Sequence, residues 1–142
     1  MDNTLPPIPE KTRWVLRWAA ESLLDLYGSR LKHLILFGSY ARGEAKSESD
    51  VDLLVVLEGP VRSYEEAKRT SRIGTRAAAY QDTALSFVHM SAEDFEDDRR
   101  PFVRSVKTEG IDLLKTPLPG SAPTSSQALP SEELATETRQ AQ

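Results

Sequence analysis

The chain has 142 residues, of which 39% are hydrophobic and 28% are charged, a composition typical of one soluble domain with a single core. Its formal net charge of −4 argues against a surface made for bulk nucleic-acid binding, and the absence of cysteine excludes disulfides, zinc–thiolate sites and cysteine nucleophiles. Since the chain has only two histidines, carboxylates are the main candidates for metal ligands.

The two ends of the chain differ from its middle. The N-terminal sequence MDNTLPPIPEKTRW contains no apolar signal segment, and no apolar run approaches the roughly 18 residues of a membrane span, so we expect a cytoplasmic protein without membrane contact. Beyond residue 116 the chain is rich in Pro, Ser, Thr, Ala and Gln, and such a segment cannot bury enough surface to offset its ordering entropy. The predicted organisation is a lead at 1–11, a folded domain at 12–116 and a disordered tail at 117–142.

Helical and strand periodicities alternate along the predicted domain. Thr12 is the predicted cap of a first helix that ends before Gly28, and Ser91 is the predicted N-cap of a later one. The predicted helices cover 13–27, 39–44, 63–80 and 99–108, and the predicted strands cover 31–37, 51–57, 85–90 and 111–114. Helices interleaved with strands predict an α/β (α+β) fold, in which helices flank one small mixed sheet.

Two acids interrupt the start of the second predicted strand. Asp50 and Asp52 are two positions apart, so alternation along a strand points both side chains to the same face. Two unpaired carboxylates side by side repel each other, and a divalent cation such as Mg²⁺ removes that penalty. The alternative, in which SESD is only a turn and Asp52 lies exposed on an edge, is disfavoured because the apolar residues that follow indicate an inner strand.

A phosphate-binding turn is predicted between the first two strands. Gly38 at a strand end allows close approach of a polyphosphate to the backbone, and Ser39 begins a short helix whose N–H groups favour anions. Arg42 and Lys46 add positive charge to the same region. The turn and the acid pair together predict a site for a metal-bound polyphosphate.

The sequence GSYARGEAKSESDVDLLVV resembles the G-S-x-A-R-G-x(n)-S-D-x-D-L-x-V signature of the nucleotidyltransferases related to DNA polymerase beta. The group that it resembles most is the small, stand-alone minimal nucleotidyltransferases. The strong likeness covers 36–56, and a weaker likeness extends it to about 31–114. The resemblance implies the polymerase beta-like nucleotidyltransferase fold over the predicted domain.

The resemblance also implies an activity and its site. The activity is transfer of a nucleoside monophosphate, AMP by preference, from an NTP such as ATP to an acceptor hydroxyl, with Mg²⁺ or Mn²⁺ as the metal. Asp50 and Asp52 would be the catalytic, metal-binding residues. Gly38 and Ser39 would hold the β- and γ-phosphates, and Arg42 would orient the loop or contact phosphate.

One position departs from the pattern of the family. Catalytic members carry a third acid on the third strand, and aligning LSFVHMSAEDF with that strand puts Ser86 at this place. A neutral hydroxyl is a weaker Mg²⁺ ligand than a carboxylate. Asp82 lies four residues upstream, roughly 13 Å away along a straight strand, and could substitute for it only if the strand bends. The other candidates for this ligand are Glu44, Glu48, Glu93, Asp94 and, more remotely, His89.

The resemblance leaves several functions open. Small nucleotidyltransferases of this kind are paired with helical HEPN ribonucleases, which implies an antitoxin that AMPylates its toxin, in a hetero-complex or as a homo-oligomer. The alternative is a catalytically weakened binding module that neutralises a HEPN-type toxin by direct binding, and an RNA acceptor is a third option. In all three we expect Asp50 and Asp52 to open onto the cleft of Ser39, with Ser86 on the adjoining strand.

Overall fold

The computed structural model describes residues 4–116 and residue 118. Within this range helices and strands alternate as predicted. The elements are α1 Glu10–Tyr27, a 3-10 turn Gly28–Arg30, β1 Leu31–Phe37, α2 Ser39–Arg42, β2 Val51–Leu57, α3 Ser63–Gln81, β3 Leu85–Ser91, α4 Ala92–Phe95, α5 Pro101–Glu109 and β4 Ile111–Asp112. The predicted tail at 117–142 lies outside the described residues apart from Leu118, whose side chain packs on the core.

The four strands form one mixed sheet in the order β3-β2-β1-β4. β1 is antiparallel to both β2 and β4, whereas β2 and β3 are parallel and are joined through α3. This topology confirms the predicted fold class, a small mixed sheet flanked by helices. None of the described helices is long and apolar enough to cross a membrane.

Both faces of the sheet are covered, which explains why β2 is almost entirely apolar. Leu53 and Val55 belong to a core cluster with residues of α1 and α3, and this side is called the α1/α3 face. Leu54 and Val56 belong to a second cluster with residues of α4 and α5, and this side is called the α4/α5 face. Asp52 has the parity of Leu54, so its side chain starts from the α4/α5 face.

The predicted start of the first helix is wrong. α1 begins at Glu10, and Thr12 is a buried residue of its first turn rather than its cap. Pro9 occupies the cap position with φ −57° and makes no side-chain cap bond. Proline presets the backbone angle that a helix start requires, and an acid in the first turn interacts favourably with the helix dipole.

Proline also decides where α5 begins. The helix starts at Pro101 instead of the predicted residue 99, and Arg99 is held outside it by Asp97, whose carboxylate accepts from the Arg99 side chain at 2.8 Å. The predicted cap at Ser91 is confirmed, because its hydroxyl oxygen accepts a hydrogen bond from the Asp94 N–H at 3.1 Å. These two short helices close the α4/α5 face.

A buried ionic cluster joins α1 to α3. Glu66 is only 2% exposed, and its carboxylate accepts hydrogen bonds from the Tyr27 hydroxyl and from Arg69, both at 2.7 Å. Burial alone raises the pKa of Glu66, but the hydrogen bonds from Tyr27 and Arg69 outweigh it, so that the pKa lies below its usual value. The same contact, together with burial, raises the pKa of the Tyr27 hydroxyl.

We expect Glu66→Gln to destabilise the fold by about 1–3 kcal/mol at pH 7, because it removes the charge from two hydrogen bonds in a buried site. A lowered pKa means that the folded chain binds fewer protons, so the Glu66 carboxylate stabilises the fold above pH 4.5 and this stabilisation is lost below it. Urea unfolding at pH 7 and at pH 3.5 to 4 measures both effects, with Glu65→Gln on the exposed side of α3 as the control. A loss that is equal at both pH values would contradict the assignment.

Candidate functional site

The candidate site lies at the end of the sheet where β1 ends and β2 begins. In the antiparallel pairing of these strands, Phe37 is directly opposite Asp52. Gly38 follows Phe37, and Ser39 opens α2, so the predicted phosphate turn starts beside the acid pair. Asp50 is exposed and precedes the first residue of β2.

Gly38 is required by the carboxylate of Asp52 as well as by its own backbone. Its φ of 78° and ψ of −155° lie in a region that is essentially restricted to glycine. A Cβ atom at this position would overlap the Oδ2 atom of Asp52. The sequence predicts the glycine from the approach of a phosphate, and the structure adds that the Asp52 side chain fills the space over its Cα.

The pKa of Asp52 depends on its burial and on two neighbouring charges, those of Asp50 and Arg42. Partial burial raises the pKa of Asp52, the negative charge of Asp50 raises it further, and the positive charge of Arg42 opposes the shift. The negative charge of Asp50 therefore acts on the Asp52 carboxylate. A cation bound between them would remove this repulsion, so the donor set suits a divalent ion whose other ligands are phosphate oxygens and water.

Arg42 contacts two acids, of which Glu44 is an alternative candidate from the sequence for the third acid and Glu109 is not predicted from the sequence. Its Nε donates to Glu44 Oε1 at 3.0 Å, and its Nη1 lies 3.6 Å from Glu109 Oε2 at the end of α5. The hydrogen bond with Glu44 raises the pKa of Arg42, although this group is exposed. Glu109 is far from Arg42 in the sequence, and no local pattern links the two.

Ser86 lies where the alignment predicts it. In the parallel pairing of β2 and β3, Ser86 is the direct partner of Asp52, with its side chain on the same face of the sheet. The described residues include no cluster of three or more His, Cys, Asp or Glu side chains that could hold a metal ion. Asp82 ends α3 in a left-handed conformation with φ 49°, before β3 begins. Among the described residues, the candidate metal ligands of the site are therefore the carboxylates of Asp50 and Asp52 and the hydroxyl of Ser86.

A family model described as nucleotidyltransferase domain matches residues 16–100, which include both acids, the glycine–serine turn and Ser86. The chain belongs to this family of nucleotidyltransferase domains.

Two relatives come from Methanocaldococcus jannaschii. The proposed protein adenylyltransferase MJ0141 is 37% identical over 72 residues, which cover 51% of this chain and 72% of the relative. The proposed protein adenylyltransferase MJ0604 is 54% identical over 35 residues, which cover 25% of this chain and 35% of the relative. The chain thus spans about a third of one relative and nearly three quarters of the other.

Solved structures with a similar fold include chains of toxin–antitoxin complexes. One is a toxin–antitoxin complex with AMP-PNP, with 17% identity, coverage of 94% of this chain and 90% of the other, and a TM-score of 0.49. Another is the tri-AMPylated HEPN toxin of Shewanella oneidensis in complex with an MNT antitoxin, with 14% identity, 87% coverage of each chain and a TM-score of 0.39. At these identities and TM-scores the likeness carries no conclusion about the activity or partner of this chain.

The overlap between Gly38 and Asp52 is testable by stability. We expect Gly38→Ala to cost more than Gly28→Ala by about 1–3 kcal/mol, because the added methyl group meets the carboxylate. Gly28 is a matched control, since it also has a positive φ, of 57°, but a Cβ there meets nothing within 4 Å. Urea unfolding of both variants measures the difference, which should disappear when Asp52→Ala is added. Equal costs at the two glycines would show that the carboxylate is not in the way.

Proposed function

We propose that this chain is a Mg²⁺-dependent adenylyltransferase that transfers AMP from ATP to a hydroxyl group of a protein acceptor. The observation that carries the proposal is the packing of the Asp52 carboxylate over Gly38, with Asp50 and Arg42 close enough to shift its pKa. An acid pair beside a glycine–serine turn suits a triphosphate and its cation. Membership of the nucleotidyltransferase family supports the reaction class.

Each site residue has a role in the proposed reaction. Gly38 and Ser39 receive the β- and γ-phosphates, because α2 begins at this turn and the first N–H groups of a helix have no partner within the helix. Asp50 and Asp52 hold Mg²⁺, or Mn²⁺ in its place, and the bound ion supplies positive charge to the phosphates. The acceptor oxygen attacks the α-phosphorus, the bond from that phosphorus to the bridging oxygen breaks, pyrophosphate leaves and the hydroxyl proton passes to solvent.

Arg42 is the residue of this set whose role depends most on the ligand. Its guanidinium group is shared between Glu44 and Glu109, and its positive charge opposes the upward shift of the Asp52 pKa. A triphosphate arriving at Gly38 brings negative charge to the same place. In the proposal Arg42 exchanges part of its contact with the two glutamates for a phosphate oxygen.

The acceptor and the partner are assigned from likeness. The relatives MJ0141 and MJ0604 carry the description of protein adenylyltransferases, which favours a protein acceptor over RNA. The resemblance of the sequence to minimal nucleotidyltransferases supports a HEPN-type toxin as the proposed partner and the role of antitoxin for this chain. The cytoplasm, where ATP and Mg²⁺ are abundant, is the proposed place of action.

A second candidate function rests on Ser86. The position directly opposite Asp52 holds a hydroxyl group, and a hydroxyl is a weak ligand for the ion that would activate the acceptor oxygen. In this alternative the domain keeps the fold of an adenylyltransferase and neutralises its toxin by binding alone. The two functions differ in whether AMP is transferred from ATP to the partner.

We expect Asp50→Asn and Asp52→Asn each to lower AMP transfer by at least about a hundredfold, because each removes a charged ligand of the metal. The assay is incubation of the full chain with α-labelled ATP, Mg²⁺ and a HEPN-type toxin as the candidate partner. Asp25→Asn, an exposed acid on α1, is the matched control and should transfer label normally. Unchanged transfer in both site variants would refute the catalytic role, and partner binding without any transfer would support the alternative.

We also expect Ser86→Asp to raise the transfer rate about tenfold or more, because it places a third carboxylate beside Asp52. Val88→Asp is the matched control, since Val88 has the same parity on β3 and is 37% exposed, but pairs with Leu54. Rates of label transfer at saturating ATP compare the two variants. A rate unaffected by Ser86→Asp would mean that the missing acid does not limit the reaction.

A further inference from the structure

An aromatic pair borders the candidate site on the α4/α5 face. Phe102 in the first turn of α5 meets Phe37 at the end of β1 edge to face, with ring centroids 5.4 Å apart and planes at 85°. Such a tilted pair is a favourable geometry for two aromatic rings and fixes the orientation of both. Phe37 packs against the core cluster of this face, whereas Phe102 is 38% exposed.

The pair is adjacent to the acids because of the strand register. Phe37 is directly opposite Asp52, and side chains that are opposite each other in an antiparallel pair have Cβ atoms about 4.5–5.5 Å apart. The exposed ring of Phe102 contacts Phe37, so that Phe37 links it to the position opposite Asp52. An apolar, flat surface therefore begins within one strand spacing of the residue proposed to hold the metal.

The anchoring of α5 does not require Phe102 to be aromatic. Val103 and Val106 are the residues of this helix that are buried in the core, with exposed fractions of 0% and 2%. Phe102 instead leaves more than a third of its side chain in solvent, while it contacts the ring of Phe37, the residue opposite Asp52. The exposed part of the Phe102 ring is therefore available to a ligand that has a flat, apolar face.

We propose that Phe102, held in place by Phe37, is the platform on which the base of the bound nucleoside triphosphate stacks. The inference rests on the proposed function, since it starts from a triphosphate seated at Gly38 with its α-phosphate near Asp52. From there the nucleoside has to occupy space within a few ångströms of the acid, and the aromatic pair is on the β1 side of it. Bases stack on aromatic side chains through their π-faces, largely independently of base identity.

The strand order then divides the site between the two substrates. β1 lies on one side of β2 and β3 on the other, so Phe37 and Ser86 flank Asp52 from opposite sides. With the base and the phosphates on the β1 side, the side of β3 is left to the acceptor hydroxyl. Phe102 accordingly contributes to nucleotide affinity and not to acceptor binding.

Isothermal titration of the full chain with two ligands, Mg²⁺–ATP and Mg²⁺–tripolyphosphate, tests the platform. Tripolyphosphate has the charged tail but no base, so Phe102→Ala should weaken ATP binding about tenfold and change tripolyphosphate binding by less than about twofold. Phe102→Trp keeps a stacking surface and should bind ATP as tightly as the natural chain or more tightly. Tyr64→Ala, which removes another exposed ring on α3, should affect neither ligand.

The outcomes separate the platform from the function on which it rests. If ATP binds and Phe102→Ala leaves its affinity unchanged, or weakens ATP and tripolyphosphate equally, the platform is refuted while nucleotide binding stands. If neither ligand binds the natural chain, the proposed function fails and the platform fails with it. Phe102→Leu keeps the apolar packing on Phe37 without the ring, and with an unchanged unfolding curve it should lose ATP affinity like Phe102→Ala.

Discussion

The contact between the Asp52 carboxylate and the backbone of Gly38 is the interaction on which the arrangement of the site depends. It exists because β1 and β2 pair antiparallel with Phe37 opposite Asp52, so that the strand end and the strand start meet at one place. Asp50 adds a like charge, and Arg42 compensates only part of the total. The apolar clusters on both faces of β2 fix the position of this strand. The charged groups are therefore held at its start, where a bound cation can neutralise the excess negative charge.

Most of the fold could be predicted from local patterns. Aliphatic runs bounded by glycine and turn residues mark the three long strands, and apolar residues at helical spacing mark the long helices. The errors occurred at the ends of elements: α2 and β4 each end two residues before the prediction, and two helix starts are displaced. Thr12 is a good capping residue, but Pro9 already fixes the backbone for a helix that begins at Glu10. In the same way Pro101 begins α5 after Arg99 has been captured by an acid outside it.

The site was predictable to the extent that its residues are neighbours in the sequence. The turn at Gly38 and the two acids lie within one strand connection, so spacing brings them together, and the partner position of Ser86 follows from aligning a third strand. Glu109 and Phe102 could not be found in this way. Both lie on the last helix and reach the site only through the packing of that helix on the sheet, and tertiary contacts of this kind leave no periodic trace.

The dual demand on Gly38 has an evolutionary consequence. Its backbone angles exclude other residues whether or not the acid is present, and the acid excludes them a second time. Substitution of Gly38 is therefore disfavoured by the geometry of the turn itself, even in a descendant that has lost catalytic activity. The glycine should accordingly outlive catalysis, and its presence in a chain is evidence of inherited geometry before it is evidence of chemistry.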